Sequence, residues 1–188
     1  MTSTAEIEAR LLGLCADVVR RAQTKGASGC EAYAEHVVQT SATVEQNELK
    51  GASSAEHEAV GIRLYVGDRT GFAYVNRLDD QAIDDAVADA LAIAKASPGD
   101  PANGLVEPLP GRPVQGLWDD DVATMTPDDV VESTAKLLAK ARKIDKRVSV
   151  DNASFGATTG IAAIASTTGV SCAASEDALK GGLFGMGV

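Results

Sequence analysis

The opening residues repeat on a helical period. Ile7, Leu11, Leu14, Cys15, Val18, Val19 and Ala22 fall at three- and four-residue steps, which lines them along one face of a helix. Ser3 and Glu6 form an S-x-x-E capping box ahead of that face, and Gly26 stands just past its end, where a left-handed residue closes a helix. The pattern predicts a helix over about residues 4–25. From Cys30 the period drops to two. Tyr33, Glu35 and Val37 alternate with Ala34, His36 and Val38, and residues 41–48 continue in Thr, Val and polar side chains. Asn47 to Gly51 punctuates the run, after which Val60, Ile62, Leu64 and Val66 alternate with Gly61, Arg63 and Tyr65. The turn cluster Gly67–Gly71 joins that run to Phe72-Ala73-Tyr74-Val75 as a hairpin, so residues 30–76 read as an antiparallel meander.

A second helix starts at Asp79, with Leu78 and Ile83 placed as a hydrophobic staple. Ile83, Ala86, Val87, Ala90, Leu91 and Ala94 mark its buried face, Asp84, Asp85 and Asp89 its wet one, and Ser97-Pro98-Gly99-Asp100-Pro101 stops it. Residues 97–122 hold five of the six prolines, at 98, 101, 108, 110 and 113. Such a stretch is an irregular connecting loop, and Leu117 and Trp118 are its expected anchors. Thr126-Pro127-Asp128-Asp129 then supplies an N-cap hydroxyl, a first-position proline and first-turn acids. Val130 to about Arg142 forms the third helix. Short strands are expected at 148–150, 160–165 and 170–174. Leu183 to Val188 reads as the start of a further strand with no closing turn, so the chain is expected to be a fragment of a longer one. The expectation is one α+β domain over residues 1–188, an antiparallel or mixed sheet flanked by about three helices.

Composition narrows the function. A chain of 188 residues buries enough surface to hold a core without disulfides or metal. Seventeen basic against 27 acidic residues give a net charge of −10, which a nucleic-acid backbone would repel. Lys140, Arg142, Lys143, Lys146 and Arg147 end a helix pattern, where cations oppose the negative terminus and stay solvated. Direct nucleic-acid binding is therefore not expected. No apolar run approaches a membrane span, and the N-terminus lacks a basic start before an apolar core. Three widely spaced cysteines, Cys15, Cys30 and Cys172, fit free thiols in a reducing cytoplasm.

No catalytic constellation emerges. Glu56-His57-Glu58 tempts as part of a zinc motif, but H-E-x-x-H would need His at 61 and H-E-x-x-x-H at 62, where Gly61 and Ile62 stand. The segment also reads as strand, and the other histidine, His36, lies in a different one. Both histidines are taken as partly exposed strand residues. Cys30 lacks a cationic neighbour to make it a nucleophile, and no G-x-S-x-G elbow exists. Gly181–Gly187 and Gly156–Gly160 match neither a dinucleotide fingerprint nor a phosphate loop and read as turns and close backbone contacts. The pairs Asp79-Asp80 and Asp84-Asp85 and the run Asp119-Asp120-Asp121 are solvated acids. No catalytic or metal residue is assigned, and the substrate-binding residues stay unassigned.

The order of elements adds a resemblance. G-A-S-G-C-E-A-Y-A-E (Gly26 to Glu35), V-E-Q-N-E-L-K (Val44 to Lys50), V-G-I-R-L-Y-V-G-D-R-T-G-F-A-Y-V-N (Val60 to Asn76), A-S-P-G-D-P (Ala96 to Pro101) and A-S-T-T-G-V-S (Ala165 to Ser171) follow one another. The set resembles the N-terminal region of the TldD/PmbA family, also described as modulators of DNA gyrase. The resemblance implies a longer protein whose missing C-terminal half, in TldD-type subunits, carries H-E-x-x-x-H and a Cys ligand for zinc. It implies a homo- or heterodimer with a TldD- or PmbA-type partner subunit, enclosing a chamber in which unfolded peptides are cleaved. No position here matches those ligands, so this chain is expected to hold no zinc itself. S-F-G-A-T-T-G (Ser154 to Gly160) and A-S-T-T-G-V-S lean towards the PmbA type. The role left to this half is scaffolding, with an exposed strand edge available to pair with an extended peptide. Two other classes compete: a stand-alone protein-binding modulator, gyrase- or toxin–antitoxin-related, and a small hydrolase using Cys30 or His57.

Overall fold

The computed structural model describes residues 3–111, 114–145 and 147–187. Pro113, Lys146 and Val188, named above, lie outside them. The elements run α1 (Thr4–Thr24), β1 (Gly29–Glu45), β2 (Glu48–Val66), β3 (Arg69–Val75), α2 (Asp80–Ala96), α3 (Asp120–Ala123), α4 (Pro127–Ile144), β4 (Val148–Ser166) and β5 (Ser171–Gly187). The fold is α+β, with a five-stranded sheet in the order β3-β2-β1-β4-β5. Consecutive strands run antiparallel. Val60 pairs with Val75 and Val66 with Arg69 in the β2–β3 hairpin. Thr167 N–H donates to Cys30 O at one end of the β1–β4 pair, and Gln46 N–H to Asp151 O at the other, each at 2.9 Å.

Local chemistry sets the element ends. Ser3 and Glu6 complete the expected capping box on α1, and Thr126 with Asp129 completes another on α4. Asp79 caps α2 by accepting from Ala82 N–H at 3.0 Å. Gly26 takes a φ of 96° past α1. Gln46 and Asn47 both take positive φ and turn β1 tightly into β2, so Glu48 to Gly51 is already strand rather than punctuation.

The chain divides into two compact units. The first comprises Met1–His36, His57–Pro113 and Ile161–Ser175. Its helices α1 and α2 pack together, and α2 lies on β3. Leu11, Val18, Ile62, Leu64, Ile83 and Val87 are buried there. The second comprises Val37–Glu56, Val114–Gly160 and Glu176–Val188. Its core joins Leu138 and Ala141 of α4 to Val44 of β1 and Val148, Val150 and Ala153 of β4.

Several expectations need correction. The runs 148–150 and 160–165 are the two ends of one 19-residue strand, β4. Gly156 is not a turn: a Cβ there would stand 3.1 Å from Thr40 O, so the neighbouring strand requires a small residue. Gly181 to Gly187 likewise lie within β5, where a Cβ at Gly185 would meet Ser149 O at 2.5 Å. The close-contact half of the glycine reading holds and the turn half does not. Leu183 to Gly187 continue β5 instead of opening a strand. A fourth, one-turn helix, α3, interrupts the proline-rich stretch, capped by Asp119 accepting from Asp121 N–H. Leu117 anchors that stretch through its backbone: its carbonyl accepts from Asp177 N–H at 2.8 Å while its side chain is exposed.

Candidate functional site

Strand alternation decides what each side chain can do. In the first unit, Cys30, Ala32, Ala34 and His36 of β1 share one face with Val60, Ile62 and Leu64 of β2, and all of them are buried. Cys15 of α1 donates from Sγ to Ala163 O at 3.4 Å on that side. Glu31, Tyr33 and Glu35 point the other way, with Gly61, Arg63, Phe72 and Tyr74. Gly71 and Ala73 turn towards α2 and leave their aromatic neighbours on the open face. A Cβ at Gly71 would lie 1.9 Å from Ala90 O.

This alternation separates the two histidines. His36 is buried, not partly exposed, and its Nδ1 lies 2.8 Å from Glu58 Oε1. Arg10 of α1 grips the same carboxylate through both terminal nitrogens, one bond measuring 3.1 Å to Oε2. The Arg10 hydrogen bond holds the Glu58 carboxyl below the usual range. His57 sits on the opposite face, exposed, with Nε2 at 3.9 Å from Glu35 Oε1. The pair therefore cannot converge on one ion. Cys30 and His36 share a face but stand six residues apart, about 20 Å along a strand. Burial pushes the Cys15 thiol up to about 11 and the Cys30 thiol up to about 12. Both stay protonated at neutral pH, while thiolate is the ligating and nucleophilic form. Cys172 is exposed. Among the described residues no set of histidines, cysteines and acids is placed to hold zinc.

The acids behave as solvated groups. Asp80 and Asp84 of α2 pair with Arg21 of α1, and Asp84 also with Lys25. Asp120 accepts from Trp118 Nε1 at 3.0 Å. Arg142 and Lys143 occupy the last turn of α4, and Arg147 pairs with Asp145.

What the sequence reading missed is a groove on the open face. Glu31, Tyr33, Glu35, Ala59, Gly61, Arg63, Phe72, Tyr74 and Ile164 line a depression of about 320 Å³. Gly61 makes it: a Cβ there would touch two ring carbons of Phe72 at 3.4 Å, so the ring lies over bare backbone. Tyr74 is directly opposite Gly61, and Phe72 opposite Arg63. Arg63 hydrogen-bonds Glu31. Beyond the groove, the loop after α2 covers this face: Tyr65 Oη donates to Gly104 O at 3.2 Å, and Thr168 Oγ1 to Val106 O at 2.7 Å. Gly104 and Val106 thus cover part of this face, while Tyr33, Phe72 and Tyr74 are exposed. The signal for the groove was present in Gly71-Phe72-Ala73-Tyr74, where small and aromatic residues alternate.

A helix-backed antiparallel sheet with its two histidines on opposite faces defines an α+β module. Residues 30–94 match the family described as PmbA/TldA metallopeptidase domain 1. The chain is 29% identical over 140 residues to the "Metalloprotease PmbA homolog" of Haemophilus influenzae, covering 73% of this chain and 31% of that protein. TldE from Thermococcus kodakarensis shares the fold at a TM-score of 0.83 and 22% identity, over 93% of this chain and 39% of that one. A protein titled a putative modulator of a DNA gyrase, from Thermotoga maritima, superimposes at a TM-score of 0.76 with 16% identity, over 92% and 38%. Over residues 30–94 and in its fold the chain is therefore similar to the N-terminal region of the TldD/PmbA family, and it spans about a third of the length of the relatives it matches. Among the described residues no helix is long and apolar enough to cross a membrane.

Proposed function

We propose that this chain is the N-terminal, non-catalytic part of a TldD/PmbA-type zinc metallopeptidase acting on unfolded peptides in the cytoplasm. It scaffolds the peptide chamber and pairs with a TldD- or PmbA-type partner subunit. The observation that supports this reading is the division of the candidate ligands between two faces. His36 is locked to Glu58 and Arg10 on one, and His57 stands with Glu35 on the other. Zinc would be held by the remainder of the longer protein and would supply the Lewis acid for hydrolysis. The β5 edge, in a strand 17 residues long, already bonds the connecting loop at Asp177, and its remaining length suits main-chain pairing with an extended peptide better than the seven-residue β3 edge.

The test compares two proteins on one unfolded fluorogenic peptide. The 188-residue chain with added zinc should give no turnover. A chain extended through the C-terminal part, with its partner subunit, should cleave, and a chelator should stop it. Zinc-dependent cleavage by the short chain alone refutes the division of labour.

A further inference from the structure

We infer that the open-face groove binds the arginine side chain of an extended peptide. The inference rests on the peptidase reading above and adds a substrate preference to it. Three aromatic side chains border the groove, and each is about half exposed: Tyr33 46%, Phe72 58% and Tyr74 59%. That much aromatic surface on a sheet face is out of water only when something lies on it. The charges choose the occupant. Two carboxylates, Glu31 and Glu35, line the groove against one guanidinium, Arg63, which is hydrogen-bonded to Glu31. Glu35 is left with the His57 ring nitrogen at 3.9 Å, beyond hydrogen-bond distance.

An incoming cation therefore meets a carboxylate and the negative faces of aromatic rings together. An anion meets net repulsion, in a chain that already carries a charge of −10. Guanidinium suits the site better than ammonium, because its plane stacks on a ring while its edge donates two hydrogen bonds to a carboxylate. The bare backbone at Gly61 supplies the depth. A side chain there would meet the Phe72 ring and take up the floor.

The test is a titration of the full 188-residue chain, followed by calorimetry and by amide chemical shifts. The ligands are acetylated, amidated Ala-Ser-Arg-Ser-Ala and versions with citrulline, lysine or glutamate in place of arginine. The arginine peptide should bind about tenfold more tightly than its neutral citrulline isostere. Lysine should fall between them, and glutamate should not bind. Shifts should centre on residues 31–35, 59–63 and 72–74. Glu35→Gln and Tyr74→Leu, both at exposed or half-exposed positions, should each remove most of the arginine preference without moving the melting temperature. Added salt should weaken the arginine peptide alone. Equal affinity for arginine and citrulline overturns the inference, as do shifts confined to β5 or a salt-insensitive self-association through this face. Binding here needs neither zinc nor turnover. Its failure therefore leaves the peptidase reading standing, and that reading fails only in the cleavage comparison.

Discussion

Gly71→Ala tests the packing that aims the groove. Gly71 lies in β3 beneath α2, and a Cβ there would stand 1.9 Å from Ala90 O and 2.6 Å from Ala94 N. Both obstacles are helix backbone, which cannot rotate aside as a side-chain tip would. The helix must retreat by roughly an ångström or β3 must shift, and such overpacking costs about 1–3 kcal/mol, here at the upper end. In a domain of this size each kcal/mol moves the melting temperature by about 2–4 °C, so the expected fall is about 6–12 °C. The control is Gly13→Ala in α1, where nothing lies within 4 Å of the added carbon. There the more helix-prone residue should stabilise by roughly 0.5–1 kcal/mol. The assay is thermal and urea unfolding followed by circular dichroism, with aromatic shifts of Phe72 and Tyr74 reporting whether the open face is disturbed. A Gly71→Ala protein melting within about 2 °C of the parent would show that α2 does not press on β3 as described.

Three further outcomes are expected. Glu58→Gln removes the charge that Arg10 and His36 share, and should cost about 1 kcal/mol at neutral pH. Because the folded Glu58 carboxyl is lowered from an ordinary value of 4.5, its contribution is present above that value and is lost as pH falls through the folded one. The variant should therefore lose less stability than the parent on acidification below 4.5, measured by urea midpoints across pH; parallel curves would refute the pairing. Of the three thiols only Cys172 should react with Ellman's reagent in the native protein, and Cys15 and Cys30 only in denaturant; fast native labelling of Cys30 would contradict its burial. Val150→Ala, in the core under α4, deletes two buried carbons and should cost about 2 kcal/mol. Urea unfolding measures it, and a loss under about 0.5 kcal/mol would mean that α4 is not seated on β4.

How far the sequence could be read depended on how local each cause was. The capping box at Ser3/Glu6, the Thr126 and Asp79 caps and the left-handed Gly26 are set within a few residues, and all four stand where the pattern puts them. The pattern reads β4 as two short strands because Gly156 and Gly160 look like turn residues. The smallness of Gly156 answers a neighbour instead, since it faces the Thr40 carbonyl of β1, more than a hundred positions earlier. The burial of His36 was hidden for a similar reason: alternation placed it with Ala32 and Ala34, but only the docking of α1 through Arg10 showed that this face is the covered one. The groove was half legible. Gly71-Phe72-Ala73-Tyr74 announces a small face and an aromatic face, while the register that sets Tyr74 opposite Gly61 comes from the hairpin closing at Gly67.

The same parity argument says that His57 and Glu58 should not form a zinc-ligating motif even with a histidine supplied nearby. On a helix, residues four apart lie one above the other and can share an ion. Along β2, positions 57 and 61 point to the same face but stand about 13 Å apart, whereas two nitrogens on one zinc must each approach to about 2 Å. His57 and Glu58, adjacent in sequence, face opposite sides of the sheet, one towards Glu35 and the other towards Arg10. Gly61→His should therefore leave the chain without tight zinc binding by competition with a chromophoric chelator, and at the same time fill the groove beneath Phe72 and abolish the arginine preference. Tight zinc uptake by that variant would mean that residues 56–62 can leave the sheet for a helix, and the proposed scaffolding role would lose its physical basis.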